Sequence, residues 1–175
     1  WGFFMDKNTA SYRRMDKVIL NAFIELTAQM PFESITVQKI ADTALISRYT
    51  FYAHFHDKYE VAERIQDDLY QEFIRLILQE IPAINAATPN RQQVMDVAIL
   101  EFYQKHAART QSIINIHTET IDFSGRIKTF LAENYKSRFP DHENLDLESK
   151  LYANMAMTLS EYYISNTNSL LNNKS

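Results

Sequence analysis

From Ser11 to Met30 the apolar residues Met15, Ile19, Ala22, Phe23 and Leu26 recur at the three- and four-residue spacing of one helix face, and Pro31 ends the segment. A shorter version follows. Thr36 is placed to cap a helix by accepting first-turn amides, with Val37, Ile40, Ala41 and Ala44 on its inner side. After Leu45 and Ile46, Ser47 is a second cap, opening a helix over 48–55 in which Phe51 and Phe55 stand at i and i+4. Asp57-Lys58-Tyr59-Glu60 is a capping-box start, with Asp in the cap position, for a long helix through Ile65, Leu69, Phe73, Leu76 and Ile77 to about residue 80. Pro82 and Pro89 bracket a loop. Thr88-Pro89 reads as a cap followed by proline at the first helical position, starting a helix through Val94, Val97, Ala98, Glu101 and Phe102. Further helices are predicted over 109–120, over 124–138 with Ile127, Phe130, Leu131 and Tyr135 inward, and over 146–165; the polar tail 166–175 is expected to be flexible. The fold class is therefore all-α.

Composition narrows the chemistry. Among 175 residues there are 2 Gly, 4 Pro and no Cys. Gly2 and Gly125 are too far apart for a phosphate loop, a dinucleotide fingerprint or a nucleophile elbow, each of which needs clustered glycines. The absence of cysteine excludes a disulfide framework and thiolate metal sites. The apolar patch at residues 1–5 is too short for a signal-peptide core, and no run approaches a membrane span, so a cytoplasmic protein without membrane association is expected. Met5-Asp6-Lys7 reads as a natural start, which leaves Trp1-Gly2-Phe3-Phe4 as a remnant. Residues 1–60 carry 7 basic and 7 acidic groups, and 61–175 carry 11 and 15, so a basic surface has to be local. The five histidines show no metal-ligand spacing, and no nucleophile, base and orienting group recur together, so no metal, no cofactor and no enzyme activity are expected.

Residues 34–60 carry the chemistry. Two short helices across a tight turn, the second with Arg48, Tyr49, Thr50, Tyr52 and His54 opposite a buried Phe51/Phe55 edge, form the pattern of a helix-turn-helix reader. Arg forks onto guanine O6 and N7, Thr offers a hydroxyl or a methyl to a base, and Tyr bonds phosphate while packing on sugar. The run Ile35-Thr36-Val37-Gln38-Lys39-Ile40-Ala41, followed by Ala44 to Lys58, closely resembles the DNA-binding signature of the TetR (tetracycline repressor) family, over roughly residues 11–65. The resemblance implies that Thr36 and Gln38 touch backbone or an outer base, that Ser47, Arg48, Tyr49 and Thr50 begin the recognition helix, and that Tyr52, His54 and Lys58 meet phosphates. Lys58 has a second reason to do so, because it lies in the first turn of a helix, where free amides favour an anion. The family usually has Gly where Leu45 stands, at a turn position that favours a left-handed backbone.

The resemblance implies a three-helix DNA-binding domain over 11–57 and a helical effector-binding and dimerisation domain over 58–165. Leu147, Leu151, Met155, Leu159 and Tyr162 form one stripe of the last helix, and Tyr152, Ala156 and Tyr163 a second; a helix apolar on two sides needs two partners. One stripe is assigned to its own domain, and Leu151, Met155, Leu159 and Tyr162 to a homodimer interface. Phe102, Tyr103, His106, His117, Tyr152 and Met155 are the candidate contacts for a small-molecule effector. The implied function is a repressor that binds a palindromic double-stranded operator as a homodimer and is released by the effector. The alternative is a TetR-like co-activator working through a protein partner, as in the co-activators of dihydroxyacetone kinase operons, which short chains of this kind also resemble.

Overall fold

The structure, a computed structural model, describes residues 9–80, 99 and 101–172, and the side chains of all of these except 79, 80 and 163–172. The described residues form helices joined by turns, with no strand among them. No helix among them is long and apolar enough to cross a membrane. The chain divides into two compact units: residues up to Asp67 with Gln111–Ile121, and Asp68–Thr110 with residues from Asp122 onward. The division falls inside the fourth helix rather than at its start.

In the first unit, α1 (Ala10–Gln29) is capped by Thr9, whose hydroxyl accepts the Tyr12 amide, and it ends at an extended Met30 before Pro31. A short 3-10 turn (Phe32–Ser34) leads to α2 (Val37–Thr43) and then α3 (Arg48–His54). Thr36 and Ser47 cap these two helices as the sequence predicts, accepting the amides of Lys39 and Thr50 at 3.2 and 3.0 Å. α1 packs against both α2 and α3 over a core of Ile19, Phe23, Ile40 and Phe51, all fully buried.

The fourth helix, α4 (Lys58–Arg75), opens with the predicted capping box. Asp57 Oδ1 accepts the Tyr59 and Glu60 amides, and the Glu60 carboxylate reaches back to the His56 amide at 2.6 Å. The helix continues as a π turn over Leu76–Glu80. The expected loop at Pro82–Pro89 and the helix from Pro89 to Ala98 lie outside the described residues; residues 101–105 are helical.

The helix expected over 109–120 is instead α5 (Ala107–Ile113), shorter and earlier. The residues after it turn, because Thr118 closes a tight loop: its hydroxyl accepts the Thr120 and Ile121 amides, and its own amide donates to Ile121 O at 2.9 Å. Ile116 and Ile121 are buried from this loop.

In the second unit, α6 (Phe123–Arg138) starts at Asp122, whose carboxylate accepts the Gly125 amide at 2.9 Å. A Cβ at Gly125 would meet that carboxylate, and the Asp122 side chain would have to turn aside to admit it. α6 packs against α7 (Leu145–Asn172), which runs seven residues past the predicted end at 165. No Gly or Pro interrupts it, so the Asn- and Ser-rich stretch from 166, expected to be a flexible tail, is helical to Asn172; residues 173–175 lie outside the described ones.

Candidate nucleic-acid interface

α3 is short and firmly placed. Its inner edge, Phe51 and Phe55, is buried with ring centroids 6.1 Å apart, which turns the opposite edge to solvent. On that edge Arg48 and Tyr52 are exposed and Tyr49 is 86 % exposed; Thr50 is half-buried. Arg48 Nη2 donates to the Tyr52 hydroxyl at 3.2 Å and its guanidinium lies 5.7 Å from the Tyr52 ring centroid, so the arginine is steadied by its own helix. Ser47 Oγ is 2.9 Å from Thr50 Oγ1, joining the cap to the first turn. On α2, Thr36 and Gln38 are exposed, with Gln38 Nε2 donating to Asp42 at 2.7 Å. The structure thus presents Thr36, Gln38, Ser47, Arg48, Tyr49 and Tyr52 to solvent within one helix-turn-helix.

His54 does not join them. It is 9 % exposed, its ring stacks on Tyr12 with centroids 3.9 Å apart, and its Nδ1 is 2.6 Å from Asp16 Oδ1. The expected exposed phosphate contact is therefore corrected to an inward link from α3 to α1. Tyr12 extends the link by donating its hydroxyl to Ala53 O at 3.0 Å. Burial, then the carboxylates of Asp16 and Glu60, hold that phenol above its ordinary pKa, which keeps it a neutral donor. Sequence reasoning missed Tyr12 and Asp16, because a partner 38 residues away leaves no local signal.

Lys58 is also engaged inside the unit. Its ammonium donates to Phe32 O at 2.8 Å and Glu33 O at 3.3 Å, and lies 4.3 Å from the Phe32 ring centroid. Burial lowers its pKa, opposed by Glu33. The anion expected at this helix start is supplied by Asp57, within the chain.

The six candidate effector contacts separate. Phe102, Tyr103 and His106 are buried together around Phe73, whose ring centroid is 5.4 Å from that of Phe102. Tyr103 is pushed up to about 12 by burial. His106 Nε2 lies 3.1 Å from Glu72, and Arg109 Nη1 donates to the same carboxylate at 2.8 Å. Phe102, His106 and Glu72 line an open cleft of about 270 Å³, completed by Arg75, Leu76, Glu101 and Lys105. His117 is exposed and belongs to the first unit. Tyr152 is half-buried with its ring 5.3 Å from Tyr135, and Met155 is exposed on the outer side of α7, so neither lines the cleft. The α7 side chains turned inward are Ser149, Ala153, Met157 and Ser160, whereas Leu147, Leu151, Met155, Leu159 and Tyr162 are 41 to 63 % exposed.

Residues 19–65 match the family model of the bacterial regulatory proteins of the tetR family. Among curated proteins none matches the chain.

Proposed function

We propose that the chain, of which residues 19–65 match the family model of the bacterial regulatory proteins of the tetR family, is a cytoplasmic repressor which binds a palindromic operator as a homodimer and leaves it when a small molecule binds. The observation that carries this reading is the exposed edge of α3, where Arg48 is held by Tyr52 and flanked by Tyr49. Arg48 forks onto a guanine, Tyr49 and Thr50 contact neighbouring bases, and Thr36, Gln38, Ser47 and Tyr52 bond the backbone. The exposed apolar stripe of α7 supports a two-fold interface that sets two such edges about 34 Å apart, one duplex turn. The effector occupies the cleft at Phe102 and His106, where it competes with the bonds that Glu72 makes.

The test is binding of the purified protein to a fluorescent duplex from the region upstream of its own coding sequence, at two salt concentrations and against scrambled competitor. Specific, salt-sensitive binding of two protomers per site is expected. Binding no better than to scrambled DNA would overturn the reading in favour of a regulator that acts through a protein partner.

A further inference from the structure

Leu45 stands in the turn between α2 and α3, and its backbone is in the left-handed region at φ 55°, the only non-glycine residue there among those described. The turn is a Schellman motif: the Leu45 amide donates to Asp42 O at 3.1 Å and the Ile46 amide to Ala41 O at 2.9 Å. This hydrogen-bond pattern demands a positive φ at Leu45, and a side chain with a Cβ is strained there, unlike glycine. Residues held in this region at an energetic cost cluster at sites that bind a ligand. Among the described residues none covers the Leu45 side chain, which is 92 % exposed, more than any other large apolar residue there.

The place of the side chain says what covers it. Leu45 lies two residues before the Ser47 cap and three before Arg48, at the end of α3 that a helix-turn-helix turns toward base edges. Tyr49, in the first turn of α3, is also almost fully exposed. Leucine has no donor or acceptor, so it takes nothing from phosphates or from the polar edges of bases. The apolar group that B-DNA offers in the major groove is the C5-methyl of thymine.

We propose that Leu45 is a specificity residue that packs against a thymine methyl of the operator, at the edge of the base pairs read by Arg48; this rests on the DNA-binding reading above. Bound DNA covers a side chain that is otherwise held strained in water.

The experiment compares the full-length protein with Leu45→Gly and Leu45→Asn, both of which tolerate a positive φ. The duplex is one that the wild type selects from a randomised library, with each thymine replaced in turn by deoxyuridine, which lacks only the methyl. Both variants are expected to fold, with the glycine variant melting no lower than wild type, while operator affinity falls about fivefold. One thymine-to-deoxyuridine position per half-site should weaken the wild type by a similar factor and leave the variants unaffected. Equal operator affinity in the variants, or an identical deoxyuridine profile, would overturn the proposal and leave the DNA reading intact. Early melting of both variants would overturn it too, by showing that Leu45 serves the fold. Failure of the wild type to select any sequence would remove the DNA reading itself, and the proposal with it.

Discussion

Arg48 is aimed before any ligand arrives. Its hydrogen bond to Tyr52 and its position against that ring restrict a side chain that otherwise loses much rotamer freedom on binding. Arg48→Ala is expected to cost about 1–3 kcal/mol of operator binding and to relax base preference at one position per half-site, read by competition with single-base operator variants. Unchanged preference would remove the base contact. Lys58 carries the opposite expectation. Two of its three N–H groups already serve the carbonyls of Phe32 and Glu33, so Lys58→Ala removes both bonds and lowers stability by about 1 kcal/mol in urea titration. Its effect on the salt dependence of DNA binding should be small; a drop of about one unit in the salt slope would return Lys58 to the phosphates. The caps Thr36, Ser47 and Asp57 were legible in the sequence because cap and amide lie within three residues of each other. His54 and Lys58 were not, since their partners come from α1 and the turn that follows it. Ser149 and Ser160 are polar yet buried, because each hydroxyl donates to a carbonyl three or four residues back and brings no unmet polarity inside.

The helix starts were more legible than the helix ends. A start depends on one cap, whereas the stop at Ile113 is followed by a loop that Thr118 closes with the Ile121 amide, a pairing that helical periodicity does not show. His106 sits between the helical residues 101–105 and α5, with its amide bonded to Phe102 O and its carbonyl accepting the Thr110 amide, and Glu72 of α4 reaches across to it and to Arg109. Its ring is buried against Phe102, with centroids 4.7 Å apart. Burial lowers the His106 pKa below 6.5, aided by Arg109 and Lys105 and opposed by Glu72. The unfolded chain therefore binds a proton at this site before the folded one does, and the site's contribution is complete above pH 6.5 and declines as pH falls toward the folded pKa. Wild type should lose stability between pH 7.5 and 5.5 in urea titration, and His106→Gln should lose less over the same interval. An equal acid loss in both would place the titration elsewhere.

The sequence assigns Leu151, Met155, Leu159 and Tyr162 to the outer side of the last helix, and all four are exposed; the inward side is not the second stripe, since Tyr152 and Ala156 are only half-buried while Ser149, Ala153, Met157 and Ser160 are buried. α7 turns Ser149, Ala153 and Ser160, with Met157 as the one bulky side chain among them, toward its own unit and leaves Leu147, Leu151, Met155, Leu159 and Tyr162 exposed. Close approach of α6 favours the small side, because small side chains let two helix backbones come together. The bulky side is then an uncompensated apolar surface, and each such residue gains about 1.5–3 kcal/mol when fully covered. Two copies meeting across a two-fold axis cover it with the same stripe, self-complementary in shape and free of charge at Leu151, Met155 and Leu159. Leu151→Glu places a carboxylate in that seam while leaving the inner side of α7 untouched. The variant is expected to keep the helical circular dichroism and melting behaviour of a folded chain, to sediment as a monomer at micromolar concentration where wild type is a dimer, and to lose at least tenfold in operator affinity, since one recognition helix then binds without its partner. A Leu151→Glu protein that stays dimeric would move the interface off this stripe. One that becomes monomeric yet binds the operator at full strength would show that a single α3 suffices, and that the palindrome is not read by a pair.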